Sequence, residues 1–198
     1  MSDNAWQSWI TELRARLSQP VAKRLPPSDA RQAAVLVPLY VDAGELWTLL
    51  SKRTEELPTH KGQIAFPGGS LEDGENPWDA ALRETEEEIG LESSKILRLG
   101  ELDETETPSG FRIVPCVGAV PFPLETDLNE DEIAEVFNVP LSAFINPRLV
   151  EDQAVSINGQ LRLLRVYHIG NHRVWGLTAR IIQLLLQRLG MEPFEGEA

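Results

Sequence analysis

Four glutamates crowd into five consecutive positions, Glu84, Glu86, Glu87 and Glu88, at the end of the run GSLEDGENPWDAALRETEEEIGL that covers residues 69–91. Residues 77–89 read as a helix, with Asn76 as N-cap, Pro77 at the first helical position, acidic Asp79 in the first turn and Gly90 just past the end. On that helix Glu84 and Glu88 fall about 40° apart, with Glu87 about 60° to the other side of Glu84, so three carboxylates share one face. Glu86 lies about 160° from Glu84 and is expected in water. Such a cluster is unfavourable at a helix C-terminus, where the backbone already carries partial negative charge and like side chains three or four apart repel. A compensating positive charge is therefore expected. Hard carboxylate oxygens suit Mg²⁺ or Mn²⁺, and these ions in turn suit phosphate substrates. Arg83, four residues before Glu87, is placed to pair with it and fix its rotamer. The plainer alternative is an acidic helix face turned to solvent.

The surrounding elements have to hold this helix. Trp6, Trp9, Ile10, Leu13 and Leu17 recur at helical spacing, so residues 4–18 read as an amphipathic helix, and Pro20, Pro26 and Pro27 mark a linker after it. Residues 33–41 and 46–51 are apolar, partly β-branched runs around a turn at 42–44, a hairpin signature. Residues 63–66 are a short strand candidate broken by Pro67, Gly68 and Gly69. In the glutamate helix, Trp78, Ala81, Leu82, Thr85 and Ile89 form the stripe expected to be buried. Residues 97–102 and 111–120 are strand-like, 155–157 and 161–168 flank Asn158-Gly159 as a second hairpin, and 177–189 are helical. Strands mixed with a few helices predict an α/β layered fold on a mixed sheet, with residues 1–30 as an N-terminal helix and linker and 31–190 as the main domain.

Composition narrows the partners. The net charge of −13 repels a phosphate backbone, so nucleic acid is a poor partner, whereas a small anion remains possible where ions and a few arginines reverse the local field. No apolar run approaches the roughly 20 residues needed to span a bilayer, so no membrane partner is expected. The lone Cys116 rules out an internal disulfide and fits a cytoplasmic setting. Nothing in the sequence fixes the oligomeric state.

Residues 69–91 resemble the Nudix box: Gly, five residues, Glu, seven residues, Arg-Glu, an aliphatic, any residue, Glu-Glu, any residue, Gly and an aliphatic. Gly69, Glu75, Arg83, Glu84, Glu87, Glu88 and Gly90 all match. Seven prescribed residues at roughly 6–7% each give on the order of one chance match in 10⁸ per starting position, which a solvated acidic face does not account for. The departure is Thr85, where an aliphatic residue is usual; its hydroxyl can turn back onto the Ala81 carbonyl. The resemblance implies a Nudix-type α/β/α sandwich with a central mixed sheet. It also implies Mg²⁺ or Mn²⁺ held by Glu84 and Glu88, with Glu87 as further ligand or base and the Gly68 carbonyl as another oxygen. Glu75 would brace the loop, and a second carboxylate would come from the acidic stretch 125–135, where Glu132 is the candidate.

Upstream, residues 49–69 read LLSKRTEELPTHKGQIAFPGG. This is similar to the additional signature of the coenzyme A diphosphatase branch of Nudix hydrolases, with Ser51 in place of a common Thr and Pro58-Thr59 covering a position often held by Arg. Coenzyme A carries a diphosphate and a ribose 3′-phosphate, so its site needs cations, and Lys52, Arg53, His60 and Lys61 are the nearest concentration of them. The resemblance implies hydrolysis of coenzyme A or a derivative to 4′-phosphopantetheine and adenosine 3′,5′-bisphosphate. The alternatives are a Nudix hydrolase for another nucleoside diphosphate derivative, such as ADP-ribose, and a non-catalytic module that senses a nucleotide.

Overall fold

The computed structural model describes residues 3–57, 61–157 and 160–191. The chain opens with α1 (Asp3–Ser18) and enters a long hairpin of β1 (Arg31–Asp42) and β2 (Glu45–Arg53). Its two-residue turn, Ala43-Gly44, has positive φ at both positions, the backbone whose twist matches paired strands. Two short strands, β3 (Ile64–Ala65) and β4 (Gly68–Ser70), lead into α2 (Pro77–Ile89). After it come β5 (Leu97–Glu101), β6 (Thr105–Glu106), β7 (Phe111–Ala119) and β8 (Ile133–Pro140). The chain finishes with β9 (Val150–Ile157), β10 (Gln160–Ile169), β11 (His172–Val174) and α3 (Gly176–Leu189).

The main sheet has the order β3-β2-β1-β7-β5, with β4 also on β1, β6 on β7 and β8 on β2. β1 and β7 run parallel and the remaining pairs antiparallel, so the sheet is mixed. Side chains of β1 alternate between two cores, as the period of two requires. Ala34, Leu36 and Tyr40 meet Ala80, Ala81, Leu82 and Ile89 of α2, while Val37, Leu39 and Val41 meet Ile10, Leu13 and Leu17 of α1 and Ile181 and Leu185 of α3. This is the expected α/β/α sandwich. A separate three-stranded sheet, β11-β10-β9, completes the chain.

Several elements differ from the sequence reading. Gly68-Gly69 does not simply break a strand: the segment pairs with β1 as β4, because glycines permit the close backbone approach that other residues forbid. β8, read only as the end of an acidic stretch, pairs with β2 from Trp47↔Pro140 to Arg53↔Ile133, and its mixed burial left no clean alternation to detect. Trp78, placed in the buried stripe of α2, is only partly buried and has the Arg98 guanidinium over its ring at 5.2 Å. α1 covers the sheet. The linker behind it is fastened to the body, with the Lys23 amide donating to Asp103 at 3.0 Å and the Leu25 amide to Glu104 at 2.6 Å. The Asn158-Gly159 turn lies outside the described residues, but the strands flanking it pair as a hairpin and extend further than their periodicity indicated.

Candidate functional site

α2 starts and stops where its end residues dictate. The Asn76 side chain accepts from the amides of Trp78 and Asp79, and Gly90 closes the helix in the left-handed region at φ 70°, donating to the Glu86 carbonyl. The loop before β8 satisfies further carbonyls at that end, with Asp127 donating to Ile89 at 2.9 Å and Asn129 to Glu88 at 3.0 Å. The acidic stretch is thereby tied to the glutamate helix.

The carboxylates of α2 separate by environment. Glu88 is buried with 4% of its side chain exposed, Glu84 is partly buried at 21%, and Glu87 is exposed at 58%. Glu86 points to water and accepts from the amide and hydroxyl of Ser93. One Glu88 oxygen, Oε2, accepts from the Gly68 amide at 3.1 Å; the other, Oε1, accepts from Arg53 Nη1 at 3.0 Å. Glu84 lies over the neighbouring glycine so closely that a Cβ on Gly69 would stand 2.3 Å from its carboxyl carbon. Both carboxylates thus flank the same Gly-Gly dipeptide of β4. Thr85 donates back to the Ala81 carbonyl at 2.6 Å, as its chemistry suggests.

Positive charge is supplied by two arginines. Arg83 reaches Glu87 at 3.2 Å, but its main partner is Glu75, and it also donates to Glu84 at 2.9 Å and the Ser70 carbonyl at 3.1 Å. These five bonds occupy all five guanidinium N–H groups. Glu75 also accepts from the Glu72 amide at 2.9 Å, which fixes the loop into α2. Arg53 bridges Glu88 and, at 3.6 Å, Glu132.

This compensation is incomplete. Burial pushes the Glu88 carboxyl up to about 7 despite the Gly68 amide and Arg53, with Glu84 and Glu132 adding repulsion. Burial raises Glu84 as well, opposed by Arg83 and reinforced by Glu87 and Glu132. Among the described residues no three His, Cys, Asp or Glu side chains are already gathered as a metal cluster, and Glu88 and Glu84 are paired with arginines instead. The donor set nevertheless fits a hard divalent ion: carboxylate oxygens on one glycine strand, destabilised as anions for want of positive charge.

A family model described as NUDIX domain matches residues 30–158. The chain belongs to the Nudix family. Among its relatives, the uncharacterized Nudix hydrolase NudL of Photorhabdus laumondii is 37% identical over 171 residues, covering 86% of this chain and 90% of the relative. The protein of the same description from Enterobacter sp. (strain 638) is 34% identical over 182 residues, 91% of each chain. A MutT/nudix family protein from Enterococcus faecalis shares the Nudix fold at 20% identity and a TM-score of 0.56, covering 98% of this chain and 73% of that one.

The Nudix-box residues predicted from sequence converge at β4 and α2, and Arg53 and Glu132 join them from β2 and the loop before β8. Lys52 does not. Alternation places it with Leu50 on the opposite face of β2, in register with Glu135. Lys61 is exposed in a turn, and His60 lies outside the described residues. His168 and His172 lie elsewhere and pair with Glu151 and Glu135. Sequence reasoning assigned Gly68 only through its carbonyl; its amide, bonded to Glu88, becomes visible only once β4 docks beside the helix. Among the described residues no helix is long and apolar enough to cross a membrane.

Proposed function

We propose that this Nudix protein is a divalent-metal-dependent hydrolase that cuts the diphosphate bond of coenzyme A or a derivative, giving 4′-phosphopantetheine with any substituent still attached and adenosine 3′,5′-bisphosphate. The observation that carries this reading is the bond between Arg53 and Glu88: a cation from the stretch similar to the coenzyme A branch lands on the most buried glutamate of the Nudix box.

Glu84 and Glu88 would hold Mg²⁺ or Mn²⁺, with Glu87 and the Gly68 carbonyl as further oxygens and Glu132 as the second carboxylate. When bound, the metal supplies charge neutralisation on the diphosphate oxygens and a lowered pKa for water. The exposed Glu87, with its contact to Arg83 at 3.2 Å, has the freedom to take the proton from a water attacking phosphorus. As the new P–O bond forms, the bridging P–O bond breaks and the second phosphate leaves, with no covalent protein intermediate. Arg83 holds Glu84 and the loop in place and has no N–H left for substrate. Arg53 and Lys61 would meet the phosphates, with His60 as a weaker candidate on sequence grounds.

Coenzyme A, 3′-dephospho-coenzyme A and ADP-ribose, assayed at equal concentration with and without Mg²⁺ or Mn²⁺ and with products identified, provide the test. Preference for coenzyme A and release of adenosine 3′,5′-bisphosphate are expected. Preference for ADP-ribose would remove the substrate assignment, and binding without turnover of any of the three would leave a sensing module.

A further inference from the structure

The two arginines at the site are held very differently. Arg83 is locked by five hydrogen bonds, whereas Arg53 makes one at 3.0 Å to Glu88 and a longer ion pair of 3.6 Å to Glu132. The Arg53 backbone, by contrast, is anchored: its amide donates to the Gln63 carbonyl at 3.0 Å, and the next amide, of Thr54, donates to the Glu132 carbonyl at 2.9 Å. Alternation along β2 puts Arg53 on the face opposite Lys52, the side of α2, and the extra residue at the register shift, Ala134, lies in β8 two residues after Glu132. The result is a guanidinium on a fixed stalk, lightly held between carboxylates from two elements.

Each Glu88 oxygen accepts one hydrogen bond, Oε2 from the Gly68 amide and Oε1 from Arg53, so an ion taken up by this buried carboxylate meets the guanidinium within a few ångströms whichever oxygen it binds. A guanidinium and a divalent ion on the same carboxylate repel strongly at this range and in this buried setting. We infer that Arg53 is the resident cation of the metal-free site, and that an ion taken up at Glu88 displaces it and frees its planar fork for the substrate diphosphate. This rests on the metal site proposed above. Metal uptake would then prepare the anion site, and by linkage each ligand would strengthen binding of the other.

Magnetic resonance on the whole chain with isotopically labelled arginine, titrated with Mg²⁺ without substrate, reads the exchange directly. The Arg53 side-chain N–H signal, identified by its loss in Arg53→Gln, is expected to move at saturation, and by more than the Nε–H signal of Arg83, which is bonded to Glu75 outside the metal ligands. Calorimetry with Mn²⁺ at about pH 8, where protons compete little for the carboxylate, should show Arg53→Gln binding about tenfold more tightly, the worth of one charge-assisted hydrogen bond. An unmoved Arg53 signal in a chain that calorimetry shows to be metal-saturated overturns the inference and leaves the metal site standing. Absence of any binding heat, unchanged by Glu88→Gln, overturns the metal site itself and this inference with it. If Arg53→Gln fails to fold, the native-chain titration decides, with the moving signal assigned through Arg53→Lys.

Discussion

Glu75 and Arg83 form a two-pronged ion pair, Nε to Oε1 at 3.0 Å and Nη2 to Oε2 at 3.1 Å, that ties the loop entering α2 to the exposed side of the helix. The bonds from Arg83 hold the Glu75 carboxyl below its usual range, and Glu75 raises the guanidinium in return. Arg83→Lys keeps the charge and loses the fork. Thermal unfolding of that variant should show about 2 kcal/mol less stability, and turnover should fall roughly 10- to 100-fold because Glu84 loses its orienting partner. Wild-type turnover in Arg83→Lys would reject the positioning role.

The raised pKa of Glu88 predicts how the metal-free chain responds to pH. Its folded value, about 7, lies above the ordinary 4.5, so the folded state binds the extra proton between these values. Its contribution is fully present below about pH 4.5 and is lost as pH rises through 7, an effect of roughly 3 kcal/mol at most, with Glu84 acting in the same direction. Melting temperatures of metal-free protein should fall from pH 5 to about pH 8, and Glu88→Gln should flatten that slope. A rise over the same range in the wild type contradicts the buried-carboxylate account.

Adjacent glycines should fail in different ways. The nearest atoms to a Cβ on Gly69 would be those of the Glu84 carboxyl group, at 2.3–2.5 Å, the movable end of a flexible side chain. Gly69→Ala is expected to fold with a near-normal melting temperature and to lose at least about 100-fold in turnover as Glu84 shifts. A Cβ on Gly68 would strike the Ala34 carbonyl at 2.3 Å and Val35 Cα at 2.5 Å, and φ is 151° there. Gly68→Ala should therefore cost several kcal/mol of stability, seen as a large drop in the denaturant midpoint. Equal effects on folding would show that Glu84 is not the group against Gly69.

Glu84→Gln and Glu88→Gln keep side-chain shape and remove charge. Each should lower turnover by roughly two to four orders of magnitude. Circular dichroism should show both folded, and added Mn²⁺ should no longer raise their melting temperatures. Glu86→Gln, which alters the contact with Ser93 away from the cluster, serves as the control and should retain activity.

The local elements of the site were legible because their causes are local. Asn76, Pro77 and Gly90 mark the ends of α2 through capping, and the helical period alone separates Glu86 from Glu84, Glu87 and Glu88. The β1–β2 hairpin, α1 and α3 followed from apolar periodicity in the same way. β4 and β8 were not readable, since a two-glycine strand and an irregularly buried one gain their stability from partners distant in sequence.

What the sequence by itself determined was therefore which carboxylates exist, on which helix, and on which face of it. Only the tertiary structure decided their inequality. Docking of β4 buries Glu88 against an amide, close packing sets Glu84 over Gly69, and the placement of β2 in the sheet brings Arg53 to an oxygen 35 residues away along the chain. Burial and charge pairing depend on what the remainder of the fold places within a few ångströms, and no local pattern encodes that distance.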